Sequence, residues 1–162
     1  MLKFNGETID AKPGETLLHA ARRHGSYVWF LCDGRGICQA CACHVLAGTE
    51  NLSPPTGMER VALGREARRS HRLACQARLA GSGPVAVTSC AQELGGQVGD
   101  ALQGKPLNLV AALLERAAGA AAVSPRLVAQ LLRRPPTPAR MMNYARDAVR
   151  VAGRLVNRML TD

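Results

Sequence analysis

The stretch CDGRGICQAC, residues 32–41, places three cysteines and two glycines within ten positions, and a further cysteine follows in RLACQ, residues 72–76. The four thiols have the spacing C-x5-C-x2-C-x33-C and belong to Cys32, Cys38, Cys41 and Cys75. Glycine adopts the positive φ angles that a backbone needs in order to bend closely around a small inorganic group. Three thiols on one such loop and a fourth from a distant segment predict a metal site.

The compartment decides how these cysteines are interpreted, because thiols form disulfides outside the cell and hold metals or act as nucleophiles inside it. Residues 1–20 carry charges throughout and contain no apolar core, so the sequence predicts no secretory signal. The longest stretches without Lys, Arg, Asp or Glu, 36–49 and 79–92, have fourteen residues each. A membrane span needs about 20. We therefore expect a soluble, cytoplasmic protein with reduced thiols.

Four thiolates match the all-cysteine ligand set of a 2Fe–2S cluster. Cys75 is the expected fourth ligand, and Cys90 is the other distant cysteine. One alternative is structural zinc, which usually takes two C-x2-C pairs where this chain has one, and another is a set of buried free thiols. A catalytic thiol has no evident base partner in the sequence. His44 and His71 lie near the cysteines, so a Rieske-type exchange of Cys for His is a further alternative.

With these residues the sequence resembles the 2Fe–2S ferredoxins. The five residues between Cys32 and Cys38 are typical of the adrenodoxin and iron–sulfur-assembly branch, where plant-type ferredoxins have four. The segment RLACQ is similar to that branch's fourth-ligand segment. The resemblance covers about residues 1–90 and implies an α+β domain of the β-grasp ferredoxin fold. It also implies a 2Fe–2S cluster at one end of the sheet, bound by Cys32, Cys38, Cys41 and Cys75.

A weaker resemblance joins the chain to the ferredoxin-like proteins of the chlorosome envelope in green bacteria. It rests on the helix end Ala21–Gly25, the loop Leu52–Pro54 and RLACQ. In that family a cluster domain of this spacing is followed by a helical C-terminal region.

Local patterns predict the elements around the site. Asn5-Gly6 between two short alternating runs predicts a hairpin, and Gly25 predicts the end of a helix. The predicted elements are strands Leu2–Phe4 and Glu7–Ile9, helix Glu15–His24, strand Cys43–Leu46, helix Glu59–Arg69 and strand Pro84–Ser89.

The remaining residues near the site are expected to be structural. Tyr27, Trp29 and Phe30 are predicted to pack in the core beneath the loop, with shielding of a cluster from water as the functional alternative. Cys43 and Cys90 are predicted to be packed as small apolar side chains, and Cys90 is alternatively an exposed thiol.

The chain has 162 residues and a formal charge of +9, and residues 96–162 hold ten basic against four acidic residues. We predict a ferredoxin-type domain over 1–92, a linker over 93–106 and a helical, basic amphipathic extension over 107–162. Arginines recur on one face of its last helix, so residues 138–160 are expected to dock on a partner or an anionic membrane surface. With only five aromatic residues and no recognition motif, nucleic-acid binding is not expected.

Together, these expectations predict a one-electron carrier that is not an enzyme. It would serve a redox partner protein or a larger electron-transfer complex, in the cytoplasm or peripherally on a membrane or large assembly. The alternative is a structural iron–sulfur subunit of a photosynthetic or respiratory assembly, for example a chlorosome envelope. A redox sensor with a nucleic-acid-binding tail is a third hypothesis.

Overall fold

The structure is a computed structural model that describes residues 1–26, 28–64, 70–94 and 96, and eight single positions further on: 125, 128, 129, 132, 133, 138, 142 and 146. Tyr27, residues 65–69, most of the predicted linker and nearly all of the predicted extension, including its 138–160 helix, lie outside the described residues. Residues 90–94 are helical, so the chain is in a helix where the linker was predicted to begin. No helix within the described ranges is long and apolar enough to span a bilayer.

The described residues form one five-stranded mixed sheet, with two α-helices before its last strand and the helical residues 90–94 after it. The elements in chain order are β1 (Leu2–Phe4), β2 (Glu7–Ile9), α1 (Leu17–His24), β3 (Ala42–Ala47), a 3-10 turn (Thr49–Asn51), α2 (Gly57–Leu63), β4 (His71–Leu73) and β5 (Val85–Ser89). The strand order is β2-β1-β5-β3-β4. Strand β1 pairs antiparallel with β2 and parallel with β5, and β3 pairs antiparallel with β5 and β4. This is the predicted α+β, β-grasp arrangement.

The predicted hairpin at the N-terminus is confirmed. Asn5 has φ 52° and Gly6 has φ 85°, the left-handed pair that a tight two-residue hairpin requires. The Asn5 side chain also ties the turn to β5, because its Oδ1 accepts the Ser89 N–H at 2.7 Å. Alternation along the two strands then points Leu2, Phe4 and Ile9 into the core.

Helix α1 begins two residues later than the predicted Glu15–His24. Thr16 is its N-cap and accepts the His19 N–H, so Glu15 stays in the preceding turn and accepts the Lys12 N–H at 2.9 Å. The helix ends where predicted, at a left-handed Gly25. Its buried face packs Leu17, Leu18, Ala20 and Ala21 against the sheet.

The second half of the domain follows the predicted strands with small differences. Strand β3 is longer than the predicted Cys43–Leu46, and β5 agrees with the predicted Pro84–Ser89. Helix α2 starts before the predicted Glu59, because Thr56 and Glu59 form a capping box, and within the described residues it ends at Leu63. Strand β4 was not predicted. It leads directly into Cys75 and so positions the distant thiol.

Candidate metal centre

The loop between α1 and β3, residues 32–41, passes several times through the left-handed region of backbone conformation. Four of its residues have positive φ: Asp33 at 54°, Gly34 at 76°, Gly36 at 76° and Gln39 at 56°. Two of them are not glycine, and such conformations persist only where the surrounding contacts hold them. The repeated reversals curl the backbone, which lets amide groups face the enclosed sulfur atoms.

The loop is fixed on two sides by its neighbours. A Cβ added at Gly36 would lie 3.2 Å from the Cβ of Met58 on α2 and 3.2 Å from the Cγ of Gln76, so only glycine fits without displacement. Gln76 Nε2 donates to the Gly34 carbonyl oxygen at 2.8 Å. The Gln39 side-chain amide donates to the Ala62 carbonyl oxygen at the end of α2. The loop is therefore clamped between α2 and the segment that follows β4.

The structure brings all four predicted cysteines together. The Ala74 N–H donates to the Cys41 carbonyl oxygen at 2.9 Å, which joins the end of the loop to the segment that carries Cys75. Cys32, Cys41 and Cys75 are buried, and Cys38 is half-buried. The thiols make hydrogen-bonded pairs, Cys32 with Cys38 and Cys41 with Cys75.

The two pairs share protons unequally. The hydrogen bond from Cys38 lowers the pKa of Cys32 against the opposing effect of burial, and the same bond together with burial raises the pKa of Cys38. In the second pair, the hydrogen bond from Cys41 lowers the pKa of Cys75, and the pKa of Cys41 is raised. Each pair thus favours one thiolate and one thiol. A cation that binds both sulfurs would release the remaining proton, because metals are ligated by thiolates.

Backbone amides add to the electrostatics of the sulfurs. N–H groups lower the pKa of all four cysteines by hydrogen bonding, beyond what the thiol pairs do. The donors are Arg35, Ile37 and Cys38 to Cys32, Leu31 and Ala40 to Cys38, Cys75 to Cys41, and Gly36 to Cys75. Gln76 Nε2 also lies 3.6 Å from Cys75 Sγ. These donors suit sulfur atoms that carry negative charge.

The donor set fits an iron–sulfur group with two metal atoms. Cys32, Cys38 and Cys41 of the amide-lined loop and Cys75 beside it would supply the four sulfur ligands of such a group.

The other two cysteines pack as predicted. Cys43 is fully buried and its thiol donates to the Arg72 carbonyl oxygen at 3.4 Å. Burial raises the pKa of Cys43, so it stays a neutral thiol. Cys90 is half-buried and packs against the core cluster. Neither belongs to the two thiol pairs.

The two histidines near the loop meet each other. His44 on β3 lies opposite His71 on β4, and their rings stack with centroids 4.9 Å apart and an angle of 5° between their planes. His44 Nδ1 also lies 3.4 Å from Glu93 Oε1. The histidines therefore form a contact on the sheet beyond the loop, and the four cysteines remain the candidate ligands.

The expectation that the aromatic residues pack beneath the loop is wrong for Trp29. Its side chain is 54% exposed, whereas the preceding Val28 is buried. Residues 28–30 lie outside the helices and strands, and Val28 takes the core position instead of Trp29. Phe30 is partly buried and lies under the Arg22 guanidinium, 4.1 Å from the ring centroid. Tyr27 lies outside the described residues.

A buried ion pair beside the site was missed by the sequence analysis. Glu59 on α2 is fully buried and accepts hydrogen bonds from Arg72 Nε at 2.8 Å and Arg72 Nη2 at 3.1 Å. It also accepts the Leu73 N–H at 3.0 Å and the Thr56 N–H at 2.8 Å. Burial raises the pKa of Glu59, but these bonds outweigh it and hold the pKa below its usual value. The pair fastens α2 to β4.

Comparisons with known proteins agree with this geometry. Residues 2–80 match the family described as "2Fe-2S iron-sulfur cluster binding domain". Over 75 residues the chain is 33% identical to "2Fe-2S ferredoxin-5" of Aquifex aeolicus, which covers 45% of this chain and 78% of that protein.

Two longer proteins are also similar. The chain is 37% identical over 94 residues to "Chlorosome protein I" of Chlorobaculum tepidum, covering 57% of this chain and 38% of that protein. It is 31% identical over 94 residues to "Chlorosome protein J" of the same organism, covering 57% of this chain and 42% of that protein. The matched segment thus spans well under half of either chlorosome protein.

Proposed function

Because the chain belongs to the 2Fe–2S ferredoxin family, we propose that it carries single electrons on a 2Fe–2S cluster held by Cys32, Cys38, Cys41 and Cys75. The observation that carries the proposal is the arrangement of these thiols as two pairs, three thiols from the amide-lined loop and Cys75 from the segment after β4. The protein acts as a carrier rather than an enzyme, and its partners are redox proteins or a larger electron-transfer complex.

When bound, such a cluster supplies a centre that accepts and releases one electron with little change in geometry. The chain's own residues set how readily this happens. N–H groups of the loop stabilise negative charge on the sulfurs of Cys32, Cys38 and Cys75, which favours the reduced state. Burial of Cys41 and Cys75 acts in the opposite direction, because it disfavours added charge.

Rigidity of the loop is the second contribution of the protein. Gly36 fits against α2 and Gln76, and the Gln39 amide is bound to the end of α2. These contacts keep the ligand positions fixed, so little rearrangement accompanies electron transfer. The Glu59–Arg72 ion pair holds α2 against β4 and therefore supports both sides of the clamp.

Anaerobic reconstitution with iron and sulfide, followed by visible and EPR spectroscopy, tests the proposal. We expect wild type to bind two irons and two sulfides per chain, to take up one electron and to give a rhombic EPR signal when reduced. Cys75→Ser should alter or abolish that signal, because Cys75 is one of the paired thiols. Cys90→Ser is the matched control and should leave the signal unchanged, since Cys90 lies outside the pairs. An unchanged spectrum in Cys75→Ser, or uptake of zinc without colour, contradicts the assignment.

The similarity to two chlorosome proteins favours a second candidate, a structural iron–sulfur subunit of a large assembly. In that case the basic residues 138–160 would attach the chain to a partner or an anionic lipid surface. Fractionation of the source cells distinguishes the two. Sedimentation of the chain with a large particle supports the subunit, and recovery of a freely diffusing, reducible monomer contradicts it.

A further inference from the structure

The exposed large apolar side chains gather around the thiol loop. Within the described part of residues 1–94 there are six of them, and four flank the loop. We call these four the apolar rim: Trp29, Leu31, Met58 and Val61, which are 54%, 61%, 41% and 59% exposed. Of the other two, Met1 precedes β1 and Leu46 lies in β3. Apolar side chains that are exposed together at one place mark an interaction surface.

The rim is continuous with the thiol site on two sides. On one side, the Leu31 N–H donates to the Cys38 sulfur while its side chain points into solvent. On the other side, Met58 lies against Gly36, and Val61 follows one turn later on α2. A protein that covered the rim would therefore come close to the cluster, which electron transfer requires.

The charged side chains described beside the rim are two arginines and one aspartate. Arg35 and Asp33 belong to the loop, and the exposed Arg60 lies on α2, next to Val61 in the sequence. An oxidised cluster with four thiolates carries a charge of −2. Because this negative charge offsets the arginines at longer range, a partner's carboxylates would be attracted mainly through direct contact with Arg35 and Arg60.

We propose that the apolar rim, with Arg35 and Arg60, is the surface on which an acidic electron-transfer protein docks. The partner would place an apolar centre on Leu31 and Met58 and carboxylates opposite the two arginines. This inference rests on the proposed electron-carrier function and names the chemistry of its partner.

Two pairs of matched substitutions separate the rim from the rest of the surface. Arg60 and Arg78 are both exposed, and each donates one guanidinium hydrogen bond to a backbone carbonyl, Pro55 at 3.0 Å and Gly14 at 2.8 Å. Leu31 and Leu46 have the same exposed fraction, 61%. Leu46 lies near the far end of β3, five residues beyond Cys41, or about 16 Å along an extended strand. The variants are therefore Arg60→Glu against Arg78→Glu, and Leu31→Ser against Leu46→Ser.

The assay is anaerobic stopped-flow oxidation of the reduced 162-residue chain, with acidic cytochrome b5 and basic cytochrome c as the two protein probes. We expect Arg60→Glu to lower the second-order rate constant for cytochrome b5 about tenfold at low salt and to raise that for cytochrome c. Leu31→Ser should lower the rate for cytochrome b5 several-fold at low and high salt. Arg78→Glu and Leu46→Ser should stay within about twofold of wild type.

The possible outcomes distinguish failure of the proposed docking surface from failure of the proposed electron-carrier function. If wild type binds a cluster and reduces both probes, but each rim variant matches its control, the docking surface is wrong and the carrier function stands. If wild type takes up no electron, the carrier function itself fails. If the chain is a dimer that Leu31→Ser converts to a monomer, the rim binds a second copy, and the proposed acidic partner is wrong.

Discussion

Glu59→Gln should weaken the cluster domain more than the loss of any single surface charge. The carboxylate accepts four hydrogen bonds while fully buried, two from Arg72 and two from backbone N–H groups. Removing one partner of such a pair leaves the Arg72 guanidinium buried without its charge partner, which costs about 3–5 kcal/mol. At about 1.4 kcal/mol per factor of ten, unfolding should become about a hundred to a few thousand times faster where the loss falls on the unfolding rate.

The assay is the rate at which the holoprotein loses its visible absorbance in urea, because loss of a cluster makes unfolding irreversible and its rate the meaningful quantity. The matched control is Glu15→Gln. Glu15 is also a nearly buried carboxylate, but its partner Arg23 is 38% exposed. A pair open to water contributes about 0–1 kcal/mol, so this variant should unfold no more than about fivefold faster.

The pH dependence of the effect has a definite sign. The pKa of Glu59 is lower in the folded protein than its usual value, so its carboxylate stabilises the fold at and above about pH 4.3. That contribution disappears as the pH falls through the folded-state pKa. The ratio of unfolding rates between Glu59→Gln and wild type should therefore hold from pH 7 to about 5 and shrink in stronger acid.

A double variant checks the physical reason. Glu59→Leu combined with Arg72→Met replaces the ion pair by apolar groups of similar size, and should recover much of the stability lost in Glu59→Gln. If Glu59→Gln unfolds within about twofold of wild type at pH 7, the pair does not hold α2 to β4, and the reasoning is refuted.

Three further substitutions test the loop and the sheet. Gly36→Ala, at φ 76° and with neighbours at 3.2 Å, should speed cluster loss in the same urea assay, and a rate equal to wild type would contradict the clamp. Gln76→Leu removes the donor 3.6 Å from the Cys75 sulfur and should make the reduction potential of the cluster more negative in a redox titration. An unchanged or higher reduction potential counts against that contact. Gly48→Ala would place a Cβ 2.0 Å from the Pro84 carbonyl oxygen and should lower the thermal midpoint clearly, whereas Gly57→Ala, with no atom within 4 Å, should not.

The parts of the fold that local chemistry decides were predictable from the sequence. Asn5-Gly6 and Gly25 need left-handed conformations, and the structure has them at the predicted turn and helix end. The start of α1 was misjudged because Glu15 is a good helix residue, and its role as a turn acceptor for Lys12 depends on local geometry. Strand β4 has only three residues, and no turn signal such as the Asn5-Gly6 between β1 and β2 marks it.

In the candidate site, too, local features were predictable and tertiary contacts were not. The spacing of the cysteines indicated which thiols lie together, because three are local and the fourth follows a short strand. Burial of Glu59 against Arg72 was not predictable, since the two residues lie thirteen positions apart and meet only when α2 packs beside β4. Exposure of Trp29 was missed for the same reason: which member of an apolar run faces the core is decided by tertiary packing.

Strand β5 is last in the described sheet but sits in its middle, between β1 and β3. During synthesis on the ribosome, the β1–β2 hairpin and the antiparallel β3–β4 pair emerge as two separate pieces, and neither can pair with β5 until Val85–Ser89 has left the exit tunnel. An isolated two-stranded hairpin is marginal in water. Growing chains therefore display the three loop cysteines, 32, 38 and 41, well before a finished sheet can hold them. We therefore expect iron loading to follow the addition of β5 to the sheet.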